Sequence, residues 1–304
     1  MGFEIVLNLL WMLVLVIYYQ LEAIVKFFIQ PSRKDVSGQV VLVTGAGSGI
    51  GQRLSVEFAK LGCTIVGWDV SQKNLNETSK VMEEETGKEF YAYTCDLSDR
   101  EAIYKTAEKV KQDIGRVDIL INNAGIVSGK TILKCSDSMM QKTMEVNTMA
   151  HFWTLKAFLP EMLERNEGHV VTISSGAGYF GVPGQVDYAA SKFGAVGMCE
   201  ALHQELQHTG KTGVNVTCVC PYYINTGMFE GVKTSFMPIL EKDDAVARII
   251  DAILRNQYLL MLPKMLYLFA VMKSLLPTKA LLVVGKYTGV NAAMDDFIGR
   301  KKVD

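Results

Sequence analysis

The stretch Thr44-Gly45-Ala46-Gly47-Ser48-Gly49-Ile50-Gly51 follows the apolar run Val40-Val41-Leu42-Val43 and leads into a helical pattern, so four glycines fall at a strand-to-helix turn. Its spacing is T-G-x-x-x-G-x-G rather than the dinucleotide fingerprint G-x-G-x-x-G. The physical demands are the same. Gly45 allows a tight turn, Gly49 lets a pyrophosphate approach the backbone, and Gly51 lets the helix pack closely while its first amides attract the anion. Gly45, Ser48, Gly49, Ile50 and Gly51 are therefore the candidate phosphate-binding residues. Asp69 ends the next apolar run, 18 residues beyond Gly51. A carboxylate there can accept from both ribose hydroxyls of an adenosine and repel a 2′-phosphate, which predicts NAD as the cofactor.

Outward from this loop, short apolar runs alternate with helical patterns. Thr64–Trp68, Tyr91–Tyr93, Ile119–Ile121, His169–Ile173, Val214–Val219 and Tyr258–Leu262 read as further strands, and the gaps hold helices over roughly 50–61, 72–86, 98–114, 137–165, 187–209 and 241–255. Runs of this kind without polar alternation suit strands covered on both faces. The predicted fold class is α/β, a doubly wound parallel sheet of the Rossmann kind.

The chain has 304 residues, 49% apolar and 21% charged, enough for one large domain with an appendage and too apolar for a disordered chain. A formal charge of -1, with no basic stripe, speaks against nucleic acid as a partner. Six cysteines without a CxxC pair predict no metal and no disulfide framework, only thiols in a reducing compartment. His151, His169, His203 and His208 form no ligand cluster and read as structural.

The apolar excess is concentrated at the two ends. Ile5 to Leu21 is 17 residues without a charge, roughly 25 Å of helix against the ~30 Å hydrocarbon core, so a span is marginal. No basic region precedes the run and no small-residue cleavage site follows it, which disfavours a cleaved signal peptide. Glu4 precedes it and Lys26, Arg33 and Lys34 follow, which places the globular body in the cytosol. The division expected is 1–30 membrane anchor, 31–37 basic linker, 38–262 dehydrogenase domain and 263–304 apolar C-terminal extension. In that extension Lys264, Lys273, Lys279 and Lys286 punctuate apolar runs, a pattern suiting helices on a membrane surface, packed against the sheet, or against a second copy in a homodimer. The ending Lys301-Lys302-Val303-Asp304 is similar to a dilysine retrieval signal.

Tyr188-Ala-Ala-Ser-Lys192 opens a predicted helix, and its spacing of four puts phenol and ammonium on one face. A nearby cation favours phenolate and lowers the phenol pKa from ~10, so Tyr188 can take a hydroxyl proton while hydride leaves the same carbon. Three further elements accompany the pair in order: Asn122-Asn123-Ala124-Gly125 after the fourth strand, Asn147 in the next helix, and Ser175 at the end of the fifth strand, 13 residues before Tyr188. With these, the sequence resembles the short-chain dehydrogenase/reductase family from about Gly38 to Leu262. The resemblance implies a catalytic tetrad of Asn147, Ser175, Tyr188 and Lys192, with Lys192 also on the nicotinamide ribose. It implies adenine contacts at Asp96 and Leu97, a cofactor floor at Asn123 and Ala124, and a carboxamide contact at Thr226. One departure stands out: Pro221-Tyr222 replaces the family's Pro-Gly after the sixth strand.

Tyr222-Tyr223-Ile224, Met228-Phe229 and Phe236–Leu240 occupy the place of the family's substrate loop, and with Gly178–Pro183 they favour a bulky lipophilic alcohol over a sugar. Leu21–Ala23, Thr226–Gly231 and Ala293–Gly299 resemble the membrane-bound branch that holds epidermal retinol dehydrogenase and the lipid-droplet 17β-hydroxysteroid dehydrogenases. That likeness implies NAD-dependent oxidation of all-trans-retinol at the endoplasmic reticulum membrane or on lipid droplets, with a steroid as the alternative. A non-enzymatic lipid-surface protein is the reading from another class, and an intact Tyr188–Lys192 pair argues against it.

Overall fold

The computed structural model describes residues 2–299 and divides the chain into two units, one ending at Asp35 and one beginning at Val36. The first unit is the helix α1 (Gly2–Phe28), within which Phe3–Lys26 is long and apolar enough to cross a membrane. At 1.5 Å per residue its 27 residues reach about 40 Å, more than the uncharged run alone suggests. The helix continues through Glu22 and Lys26, which pair at 2.8 Å one turn apart. Among its described side chains no large apolar one is buried; Trp11 is 63% exposed. The Lys301–Asp304 ending lies outside the described residues.

In the second unit the alternating pattern becomes β1 (Val40–Thr44), α2 (Gly49–Lys60), β2 (Thr64–Asp69), α3 (Gln72–Thr86), β3 (Phe90–Thr94), α4 (Arg100–Asp113) and β4 (Ile119–Asn122). It continues with α5 (Asp137–Met144), α6 (Ala150–Arg165), β5 (Gly168–Ile173), α7 (Val186–His208), β6 (Val214–Pro221), α8 (Lys242–Leu254) and β7 (Leu259–Leu262). The strands form one parallel sheet in the order β3-β2-β1-β4-β5-β6-β7, with register pairs such as Val43↔Ile121 and Asn122↔Thr172. Successive strand residues feed opposite cores. Val41, Val43, Ile119 and Ile121 pack with α2, α3 and α8, while Leu42, Leu120 and Val170 pack with α4, α6 and α7. That is why the strands read as unbroken apolar runs: both sides of the pleat are covered.

The predicted helix over 137–165 is divided. Glu145–Met149 form a π turn between α5 and α6, and Asn147 lies within it. Single π turns inserted in α-helices occur frequently at functional sites.

Beyond β7 the extension folds as α9 (Met265–Leu275) and α10 (Thr278–Tyr287). Leu266 of α9 is buried in the core, and the Tyr267 hydroxyl donates to the Leu259 carbonyl at 2.7 Å and accepts from the Met261 amide at 3.1 Å. Of the arrangements the sequence leaves open, packing beside the sheet is therefore met by the inner face of α9.

Candidate active site

Strand order reverses between β1 and β4, and a parallel sheet opens a crevice at such a point beyond its carboxyl ends. Asn123 ties the two strands together there. Its amide nitrogen donates to the Thr44 carbonyl at 2.8 Å, and its backbone N–H donates to the Thr44 hydroxyl at 2.9 Å. Gly45 has φ +66 and Gly49 φ +59, both in the left-handed region. At Gly51 the requirement is space, since a Cβ there would fall 2.1 Å from the Gly45 carbonyl oxygen.

The first turn of α2 faces the same crevice. α3, α4 and α5 receive side-chain caps from Ser71, Asp99 and Ser136, whereas α2 receives no side-chain cap from Ser48. Uncapped amides behind a glycine turn suit a diphosphate. Asp69 accepts from the Gly47 amide at 3.0 Å through one oxygen and from the Ser71 amide at 2.9 Å through the other. A carboxylate has about four acceptor positions, so two amides fix its orientation and leave capacity for two ribose hydroxyls. Burial works against ionisation of Asp96, yet the Ser98 hydroxyl and amide, with Lys142, hold its carboxyl below the usual range.

A cleft of about 240 Å³ runs from this loop to the Tyr188 ring. Gly45, Ser48, Gly49, Ile50, Asp69, Asp96, Leu97, Asn123, Ala124, Ser175, Tyr188, Lys192 and Thr226 all line it. Two of the residues singled out from sequence do not. Gly51 is buried at the start of α2, and Asn147 is fully buried outside the cleft lining. The Asn147 side chain is bonded at both ends: Oδ1 accepts from the Ile126 amide at 2.8 Å, while Nδ2 donates to the Ile126 carbonyl at 2.9 Å and to Ser191 Oγ at 3.0 Å. Its side chain therefore braces the loop after β4 against α7. Tyr222, in place of the family's glycine, lines the cleft without removing Ile224 and Thr226 from it.

Tyr188 and Lys192 stand a turn apart on α7, with the ammonium 5.7 Å from the phenol ring centre. Lys192 Nζ donates to the Ile173 carbonyl at 2.8 Å, and burial pushes its pKa down to about 8. The tyrosine differs from expectation. Burial pushes the phenol up to about 12, and the Ser175 hydroxyl opposes this only in part. The cause is desolvation: a phenolate enclosed by protein loses its hydration, and an ammonium directed at a carbonyl does not compensate for that.

Asp187, next to Tyr188, has no motif to announce it. It is 6% exposed and accepts from Ser128 Oγ at 2.8 Å and Thr143 Oγ1 at 3.1 Å, joining the loop after β4 and α5 to the start of α7. A buried carboxylate beside an apparent helix start carries no periodic signal, so sequence reasoning passes over it. The histidines keep a structural role. Burial pushes His151 down to about 3, which leaves it neutral, and the His169 ring pairs with Thr217 Oγ1 at 2.8 Å.

A second cavity, of about 280 Å³, adjoins the cleft and shares Ser175, Pro221, Tyr222 and Phe229 with it. Its walls are largely apolar. Phe236 and Met237 come from the loop predicted to hold substrate, and Phe269, Met272, Leu281 and Val284 come from α9 and α10. Phe229 packs edge-on against Tyr188 at 5.8 Å and against Tyr223 at 5.0 Å, so it stands at the junction. The part played by α9 and α10 is absent from the sequence reading, because apolar spacing does not say which side of a helix faces a cavity.

The sequence profile described as short chain dehydrogenase matches residues 39–235. Among proteins of similar sequence, "Epidermal retinol dehydrogenase 2" of Homo sapiens is 47% identical over 285 residues, covering 93% of this chain and 92% of its own. "Retinol dehydrogenase 10-B" of Danio rerio is 42% identical over 301 residues, covering 91% and 90%. Among solved structures, a short chain dehydrogenase/reductase from Burkholderia phymatum in complex with NAD superposes with a TM-score of 0.71 at 24% identity, over 79% of this chain and 94% of that one. A metagenomic short-chain oxidoreductase in complex with NADP gives 0.63 at 28%, over 75% and 97%.

Proposed function

The chain belongs to the short chain dehydrogenase family, and from that premise we propose that it oxidises all-trans-retinol to all-trans-retinal with NAD. One observation carries the substrate reading: the apolar cavity meets the cofactor cleft at Ser175, beside Tyr188. An elongated lipophilic alcohol lying in the cavity brings its hydroxyl to that junction. The names of two relatives, both retinol dehydrogenases, agree with this choice.

NAD supplies the hydride acceptor. The chain supplies the rest. The Ser175 hydroxyl holds the substrate oxygen, and Tyr188, once its phenol has given up its own proton to solvent, takes the substrate hydroxyl proton at Oη as phenolate. Lys192, held by the Ile173 carbonyl, keeps a positive charge below its pKa of about 8 close to the phenol and the ribose. With the phenol pushed up to about 12 by burial, the phenolate is the minor form at neutral pH, and the Lys192 charge 5.7 Å from the ring favours it without offsetting the burial in full. Asp69 favours NAD through its remaining acceptor positions. The solved relatives carry either cofactor, so the preference rests on this carboxylate.

For the cell, we read residues 1–30 as an anchor in the endoplasmic reticulum membrane, 31–37 as a linker, 38–262 as the dehydrogenase body facing the cytosol, and 263–304 as an extension that completes the substrate cavity. Lipid droplets are a second location. The supports are the apolar helix and the basic residues after it. The sequon Asn76-Glu-Thr78 on α3, with Asn76 exposed and Thr78 buried, reports the topology: it stays unglycosylated when the body is cytosolic.

The test is NADH formation by microsomes carrying the protein, offered retinol and estradiol side by side. Turnover of retinol with little of estradiol is the expected result. The reverse preference moves the assignment to the steroid, and no turnover of any lipophilic alcohol returns the chain to a lipid-surface scaffold.

A further inference from the structure

The helices α9 and α10 are apolar on two sides. Their inner residues Phe269, Met272, Leu281 and Val284 line the cavity, while Leu268, Val271, Leu275 and Val283 point outward and are more than half exposed. A helix that is apolar on its outer side as well as its inner one leaves a face still to be covered. Tyr287, 85% exposed, ends the same surface. From Pro263 to Met294 the chain holds four lysines and no acidic residue, although the whole protein is net negative. Lys273 is committed to the Tyr179 carbonyl at 2.6 Å, and Lys279 and Lys286 are exposed on α10 beside the apolar residues.

We propose that the outer face of α9 and α10 docks on an anionic bilayer surface, so that the lipophilic substrate passes from the membrane into the cavity between these helices. Apolar side chains flanked by lysines are the chemistry of an interfacial helix pair, with the apolar groups in the acyl boundary and the ammonium groups among phosphates. A second copy of this chain fits the face less well. A two-fold contact sets a surface against itself, and here it would bring like-charged lysines together. Chain connectivity also favours a bilayer: only about seven residues separate the end of α1 from Val36, a reach of roughly 25 Å when extended. The role assigned to the docked face, substrate delivery, rests on the proposed lipophilic substrate; the docking does not.

The cysteines of the chain are all buried, so a thiol-reactive fluorophore can be directed to an introduced site. Full-length Leu275→Cys and Val283→Cys, labelled and reconstituted in phosphatidylcholine vesicles containing phosphatidylserine, are compared with Glu77→Cys on α3 while the lipids carry a nitroxide quencher. Strong quenching at 275 and 283, weak quenching at 77, and a loss of the difference when phosphatidylserine is omitted are the expected results. Equal quenching at all three positions overturns the proposal, and so does crosslinking between copies through position 283 without lipid quenching. A second arm uses Val271→Glu with Val283→Glu, neither of which lines the cavity. About a tenfold rise in KM for vesicle-borne retinol is expected, because charges are expelled from the acyl boundary, with kcat and the turnover of a short water-soluble alcohol unchanged. An unchanged KM overturns delivery through this face. Quenching at 275 and 283 in a protein that turns over no retinol keeps the docking surface and removes the retinol reading.

Discussion

The cofactor half and the substrate half of this molecule are built by different rules. On the cofactor side, β1, β2 and β4 end in backbone whose conformation is dictated locally: glycines at positive φ, a carboxylate clamped by two amides, an asparagine bridging two strands. On the substrate side the walls are side chains brought from distant segments, Phe180 and Gln185 before α7, Phe229 and Phe236 after β6, and α9 and α10 from the end of the chain. A diphosphate can be recognised by a contiguous turn because backbone amides do the binding. A large apolar molecule must be enclosed, and enclosure needs many elements.

The sharpest break in this contrast comes at the junction. Tyr188→Phe removes the proton acceptor and keeps the ring against Phe229, so turnover should fall by at least about a thousandfold, while thermal unfolding and NADH binding stay near wild type. Retained turnover in the purified variant excludes Tyr188 as the acceptor; lost NADH binding reports misfolding instead. The pH profile addresses the same group. A phenol pushed up to about 12 is protonated across the neutral range, so alcohol oxidation should rise with pH, by up to tenfold per unit between about pH 6 and 8, and aldehyde reduction should not. A flat oxidation profile over that range means that bound cofactor and Lys192 together already hold the phenolate.

Smaller effects separate the two halves. Asp69→Ala should cut the preference for NAD over NADP by one to two powers of ten, since charge-assisted hydrogen bonds contribute about 1.5–3 kcal/mol and ~1.4 kcal/mol is tenfold. The ratio of catalytic efficiencies with the two cofactors measures it, and an unchanged ratio assigns discrimination elsewhere. Phe229→Ala should act on the other half, raising KM for retinol several-fold with KM for NAD nearly unchanged, because it opens the apolar wall where both cavities meet. Equal changes in the two constants would mean that the halves are not separable at that residue.

Much of the cofactor half was readable along the chain. The alternating apolar runs follow from strands covered on both faces, and their ends lie within a residue or two of the observed strands. The glycine loop, Asp69 and the Tyr188–Lys192 spacing are local patterns, and the structure lines one cleft with them. The helix over 137–165 shows where reading stops: its apolar period is continuous, and the π turn holding Asn147 comes from its fit against Ile126 and Ser191.

The apolar strand runs, the glycine turn and the four-residue spacing of phenol and ammonium were legible from residue order alone, since each is a pattern of neighbours a few positions apart. Three-dimensional packing decided the remainder. It buried Tyr188 deeply enough to raise its pKa rather than lower it, locked the Asn147 side chain between Ile126 and Ser191, placed Asp187 as a brace, and made α9 and α10 a wall of the apolar cavity. Desolvation and enclosure are properties of a surrounding volume, and a volume is filled by residues that the chain keeps far apart until it folds.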